Sequence, residues 1–177
     1  MIFTPTPLEG AFIVRPEPHE DERGSFARTF CAREFSQHGL VDVIDQVNCS
    51  SNTQRGTLRG LHYQTGDAAE TRLVECIRGR IFDVIVDLRP DSVTFRDWFG
   101  IQLSAQAANM LYVPRHFAHG FQTLTDDCEI RYLVNGFYAP EAAAGLRWDD
   151  PVLGIEWPLD VSIMSDRDRV WPLLEII

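Results

Sequence analysis

Hydrophobic and polar residues alternate along this chain in short runs rather than in helical repeats. Residues 73–77, 81–88, 101–103, 110–113, 120–124 and 129–134 each read as a strand, and the later ones follow at spacings of about ten residues. That rhythm predicts an all-β fold, an antiparallel sandwich or barrel of the jelly-roll kind with a few short helices. Runs 73–77 and 81–88 flank Arg78-Gly79-Arg80, which predicts a hairpin around a three-residue loop. One helix stands out, residues 32–38, closed by Gly39 where a left-handed residue ends a helix. Residues 148–171, rich in Asp and Pro, read as ordered loop and short helix packed on the barrel.

Within 81–88, Phe82, Val84, Val86 and Leu88 share one face, while Ile81, Asp83, Ile85 and Asp87 share the other. A carboxylate on an apolar strand face must be paired or functional, because burying it alone is expensive. For Asp83 both readings stand: a tie to an Arg or His, or a group of a site. Asp87, near the strand's end, is expected to face solvent. Tyr132 lies on the face of Ile130 and Val134; it is a core tyrosine unless a histidine faces it across the barrel.

With 177 residues the chain is expected to form a single domain over 1–177. Sixteen basic against 26 acidic residues give a net charge of −10, which argues against nucleic acid and anionic membrane surfaces as partners. All the basic residues are arginine; the absence of lysine excludes Schiff-base and pyridoxal-phosphate chemistry on this chain. Cys31, Cys49, Cys76 and Cys128 show no CxxC or zinc spacing. No secretory pattern and no apolar run of about 18 residues is seen, so a reduced, cytoplasmic protein is expected.

Of five histidines, His38 at the helix end and His19 in a Pro- and Glu-rich stretch are expected to be solvated. His62 and His119 each lie beside a glycine that lets backbones pack closely, in Arg59-Gly60-Leu61-His62 and His119-Gly120, and together they suggest a shared cavity. A metal-dependent barrel enzyme is the rival: it needs a His-x-His pair, a carboxylate and a later His. His62 is followed by Tyr63 and Gln64, so the pair is missing, although Glu70 and His119 remain available.

Four separated motifs, Thr57-Leu58-Arg59-Gly60-Leu61-His62-Tyr63-Gln64, the stretch from Gly79 to Arg89, the stretch from Pro114 to Phe121, and Trp148-Asp149-Asp150-Pro151, closely resemble the dTDP-4-dehydrorhamnose 3,5-epimerase family. The resemblance runs from about Gly10 to Trp171. It implies a cupin-like jelly roll acting as a homodimer, with no metal and no cofactor, on a nucleotide-diphosphate 4-keto-6-deoxyhexose. C3 and C5 flank the C4 ketone, so removing either proton gives an enolate, and returning it from the opposite face inverts the centre.

Carried over by position, the resemblance makes His62 the general base, suited to the task because histidine titrates near ~6.5 in water. Asp168, in Ser165-Asp166-Arg167-Asp168, matches the carboxylate that orients the imidazole, and Arg167 beside it is taken as a substrate contact. Tyr132 matches the acid on the other face. Arg59, His119 and Asp83 match the diphosphate and sugar pocket. Tyr138, Gln46 and Asn48 match nucleotide-side contacts, and Arg23 a phosphate-side arginine that family dimers supply across the interface. Three positions depart from the family pattern. Arg72 replaces a lysine beside the enolate oxygen, keeping the charge in a larger planar group. Arg28 replaces a glutamate near the nucleotide, and His116 replaces a glycine ahead of Phe117-Ala118-His119. The expected function is therefore a cofactor-independent epimerase acting at C3, C5 or both; a single-site enzyme on another nucleotide sugar, a metal-dependent barrel enzyme and a non-catalytic sugar-binding module are the alternatives.

Overall fold

A computed structural model describes residues 1–174. Two antiparallel sheets face each other, with strands numbered in chain order. One runs in the order β1 (Ile2–Pro5), β2 (Phe12–Arg15), β10 (Met110–Val113), β7 (Thr71–Arg78), β12 (Cys128–Asn135), β5 (Gln46–Asn52). The other runs β13 (Ala143–Gly145), β6 (Leu58–Gln64), β11 (Phe117–Thr123), β8 (Arg80–Asp87), β9 (Trp98–Ser104). A separate hairpin joins β3 (His19–Asp21) to β4 (Gly24–Phe26). The helices are α1 (Ala32–Gln37) and α2 (Asp166–Arg169). This is the all-β jelly roll that the strand rhythm predicted, of the cupin-like kind that the resemblance implied.

Apolar residues from both sheets meet in the middle: Val74, Cys76, Leu111 and Ile130 from one, Ile81, Ile85, Leu103, Phe117 and Phe121 from the other. Each sheet is also covered outside. Helix α1 lays Phe35 over Val14, Leu73, Met110 and Tyr112. The chain after β13 packs Leu146, Leu153 and Trp157 over Leu61, Val84, Val86 and Ala118. Burial on both faces explains why β7 and β8 read as nearly continuous apolar runs. Helix α1 stops where expected: Gly39 takes φ +69°, and its N–H bonds to Ser36 O at 3.0 Å.

Two expectations are corrected. Strands β7 and β8 are not a hairpin: β7 pairs with β10 and β12, and β8 with β9 and β11. Each already has two neighbours, so the single left-handed residue Gly79, φ +79°, carries the chain from one sheet to the other. A β-carbon on Gly79 would come within 2.7 Å of Cys128 Sγ. Apolar runs around a glycine are common to both arrangements, and the sheet partners decide between them. Asp87, expected in solvent, is fully buried. The loop after β8 folds back to donate Arg89 N, Nε and Nη2, Ser92 Oγ and Thr94 Oγ1 to it, at 2.6–3.0 Å. Burial pushes this carboxyl up, but those donors more than offset it and hold it at about 2.

All four cysteines are free thiols. Burial pushes the Cys76 thiol up to about 12. Among the described residues no helix is long and apolar enough to cross a membrane.

Candidate active site

The inward face of a strand shows every second residue, and at one end of the sandwich those positions turn polar. Strand β5 contributes Gln46, Asn48 and Ser50, β7 contributes Arg72, and β12 contributes Tyr132 and Val134. From the opposing sheet come Arg59 and His62 on β6 and His119 and Phe121 on β11. With Glu70 and Tyr138 they line a cavity of about 350 Å³.

Arg59 and His62 are three residues apart, a spacing that puts side chains on opposite faces of a regular strand. Here a bulge intervenes: His119 pairs with His62 and Phe121 with Arg59, two steps on β11 against three on β6. Gly60 absorbs the extra residue at φ +133°, and its β-carbon, if present, would lie 2.5 Å from Gly120 Cα. The two glycines thus let the strands close up and bring both side chains into the cavity. The shared cavity expected for His62 and His119 is found.

His62 Nε2 lies 2.6 Å from Asp168 Oδ1. With Asp168 ionised, Nε2 carries the proton and Nδ1 keeps its lone pair. Asp168 is buried on α2, whose cap Ser165 Oγ accepts the Asp168 N–H at 3.1 Å. Its Oδ2 accepts the Gly60 N–H at 3.3 Å, and its Oδ1 also accepts the Trp171 indole N–H at 3.2 Å. Burial pushes the Asp168 carboxyl up, but His62, Gly60 and Trp171 together hold it below the usual carboxylate value.

On the far wall, Tyr132 stands edge-on to His119 with ring centroids 6.0 Å apart, which meets the condition set for it in the sequence. Burial, with Asp83 nearby, raises the Tyr132 phenol far above its ordinary value, while Arg72 and Arg59 pull it down. The hydroxyl is protonated at neutral pH. Asp83, fully buried, accepts His119 Nε2 at 2.8 Å, so its pairing with a histidine is found; burial raises its carboxyl against the pull of His119.

Several supports were silent in the sequence. Glu70 Oε1 accepts Arg72 Nε at 2.8 Å and also Arg72 Nη2, while Glu70 Oε2 accepts Gln64 Nε2 at 2.9 Å. Buried Gln64 also accepts the Ala139 N–H at 2.7 Å and donates to Phe137 O at 3.2 Å, pinning both sides of Tyr138. Asn52 Oδ1 accepts Arg59 Nε at 2.7 Å. Apart from Glu70 and Arg72, which are two residues apart, these contacts join groups that only the tertiary fold brings together. Glu70, available to a metal in the sequence, is committed to Arg72, and among the described residues no three His, Cys, Asp or Glu side chains converge as ligands.

Asp83 and Asp168 stand behind the lining, reaching the cavity through His119 and His62, and three further predicted residues stay away from it. Arg23, at the tip of the β3–β4 hairpin, is held by Asp21 at 2.6 Å. Arg28 pairs with Glu34 at 3.0 Å. Arg167 lays its guanidinium over the Trp171 ring, 4.7 Å from its centroid. His116 is exposed at φ +63°, a backbone conformation that explains why glycine suits the position.

A family model described as dTDP-4-dehydrorhamnose 3,5-epimerase matches residues 5–175. The dTDP-4-dehydrorhamnose 3,5-epimerase of Methanothermobacter thermautotrophicus is 45% identical over 177 residues, 98% of this chain and 95% of that protein. The crystal structure of the Bacillus anthracis dTDP-4-dehydrorhamnose 3,5-epimerase, with TDP and PPi bound, is similar at a TM-score of 0.94 and 39% identity, covering 98% of this chain and 99% of that one. ChmJ, a 3'-monoepimerase from Streptomyces bikiniensis in complex with dTDP-quinovose, is similar at 0.88 and 35% identity, covering 96% and 86%. Sequence and fold agree over nearly the full length, and the chain belongs to the dTDP-4-dehydrorhamnose 3,5-epimerase family.

Proposed function

We propose that the protein, acting as one domain, inverts C3 and C5 of dTDP-4-dehydro-6-deoxy-D-glucose to give dTDP-4-dehydro-L-rhamnose, by proton transfer through an enolate. The carrying observation is that His62, backed by Asp168, and Tyr132 enter one cavity from opposite sheets. A sugar ring lying between them has a base on one face and an acid on the other, which is what inversion requires. His62 Nδ1 takes the proton beside the ketone, and Asp168 stabilises the imidazolium that results. The Arg72 guanidinium offsets the charge that collects on the C4 oxygen. Tyr132 returns a proton from the opposite face. Arg59 and the Asp83-oriented His119 hold the sugar and diphosphate, and Gln46, Asn48 and Tyr138 hold the nucleoside.

The β3–β4 hairpin supports a homodimer in which Arg23 serves the neighbouring subunit's diphosphate. It forms a sheet of its own, and Phe26 on it is exposed. Arg28 follows the same hairpin by two residues and is carried with it toward that neighbouring site, whereas Arg167 stacks on Trp171 away from the cavity lining. A nucleotide-sugar substrate and free thiols fit a cytoplasmic location.

The test is to incubate the protein with dTDP-4-keto-6-deoxyglucose in D₂O and follow the C3 and C5 protons by NMR. Deuterium at both carbons with epimers formed supports the double epimerase. The likeness to a 3'-monoepimerase gives a second reading, which exchange at one carbon alone would select. His62→Ala should abolish exchange, and wild-type exchange in that variant would remove His62 as base. Tyr132→Phe should retain exchange yet slow or redirect inversion; an unchanged product distribution would count against Tyr132 as the acid.

A further inference from the structure

Behind the His62–Asp168 pair stands the side chain of Trp171. Strand β13 pairs with β6 so that Gly145 lies opposite His62. A β-carbon on Gly145 would lie 2.4 Å from Trp171 Cε2 and 2.6 Å from Trp171 Nε1, so the indole fills the space a side chain would occupy. The ring meets the His62 imidazole edge-on, centroids 6.4 Å apart at 67°. Its N–H donates to Asp168 Oδ1, the oxygen that also takes the imidazole. Arg167 covers a face of the ring.

An aspartate needs such support. The torsion that turns its carboxylate plane is soft, and α2 is a single turn with little rigidity of its own. The Gly60 N–H is long at 3.3 Å and fixes one oxygen only. The indole N–H, fixed in direction by a ring packed against Gly145, adds a second donor at the oxygen that takes the imidazole, so with Gly60 on the other oxygen both ends of the carboxylate are held.

We propose that Trp171 is a positioning residue for proton abstraction: through its hydrogen bond to Asp168 and its edge contact with the imidazole it fixes the plane of the His62–Asp168 pair, in a slot that Gly145 keeps open and Arg167 covers. This rests on His62 being the base.

Trp171→Phe keeps an aromatic ring and removes the donor. With dTDP-4-keto-6-deoxyglucose in D₂O, it should lower kcat and deuterium uptake together by about tenfold, with KM held within about twofold. Gly145→Ala, which displaces the indole without altering it, should give the same split. A side chain that only supported the fold would lower the melting temperature or the active fraction and leave turnover per active site unchanged. A second measurement does not depend on the Phe variant's stability. In ¹⁵N spectra, one of the four tryptophan indole N–H signals should shift in Asp168→Asn, and selective ¹⁵N labelling with Trp171→His as reference assigns it. Wild-type kcat in folded Trp171→Phe, a loss confined to KM, or an indole signal indifferent to Asp168→Asn would each overturn the proposal. His62→Ala separates the two readings: exchange surviving there removes the base itself, whereas exchange lost there but intact in Trp171→Phe removes only the role of Trp171.

Discussion

Replacing Asp168 by asparagine preserves shape and removes one negative charge behind the base, and the surroundings allow the amide two orientations. With its oxygen at the Oδ1 position it still accepts from His62 and Trp171, but its NH₂ then faces the Gly60 N–H, donor against donor. Flipped, the NH₂ faces His62 Nε2 and favours the tautomer with the proton on Nδ1, where the lone pair is needed. The charge itself can be bounded. Two unit charges roughly 4 Å apart interact by about 4 kcal/mol at an effective dielectric of about 20. The His62 side chain is 42% exposed, so solvent screens part of this, and about 2 kcal/mol is the appropriate figure. That alone slows proton abstraction by about 30-fold, and the flipped amide carries the loss to about 10³-fold. The assay is single-turnover deuterium uptake from D₂O at C3 and C5, with dTDP affinity measured separately by calorimetry. Affinity should hold, because Asp168 is not among the residues lining the cavity. A loss below about threefold with intact dTDP binding would refute the assignment of Asp168 as the group that orients and charges the base.

Asp87→Asn should cost about 2 kcal/mol of stability at neutral pH, read by denaturant unfolding, with turnover per folded molecule unchanged. Because the Asp87 carboxyl is held at about 2 in the folded chain, below its unfolded value, its contribution is complete above the unfolded value and is lost as pH falls through about 2. The wild type should therefore lose stability between about pH 4 and 2 more steeply than the Asn variant, and equal acid slopes would contradict this account. Arg72→Lys alone leaves a compact ammonium captured by Glu70, so turnover should fall, and adding Glu70→Gln should recover part of it. Strictly additive losses in that double-mutant cycle would break the proposed link between the two residues. Gly60→Ala should destabilise the fold by about 2 kcal/mol or more, since it adds a close approach to Gly120 to an unfavourable backbone angle. Gly24→Ala, at φ +125° with open space around it, serves as the control, and equal thermal shifts in the two would show that the close approach is immaterial.

The sequence by itself determined the fold class and most of the site's chemistry. Period-two runs bounded by turn residues are a local property of β-strands, so the jelly roll was legible before any contact was known. The family resemblance located His62, Tyr132, Asp168 and Arg72 by position, since side-chain identity is written directly in the chain. Tertiary structure alone decided which strands are neighbours. Residues 73–88 read as a hairpin, yet β7 and β8 lie in opposite sheets, because each finds two longer-range partners. The same long-range pairing turned Asp87 from an expected surface carboxylate into a buried one held by its own loop. It also put the bulge at Gly60 against Gly120, and without that bulge Arg59 and His62 would point to opposite sides of the sheet. Among the supports of the site, Asn52 holds Arg59 from 7 residues away, Gln64 holds Ala139 from 75, and Asp168, which Trp171 steadies, lies 106 residues from His62. Hydrogen bonds across such separations depend on how distant strands come together, and no local periodicity encodes that.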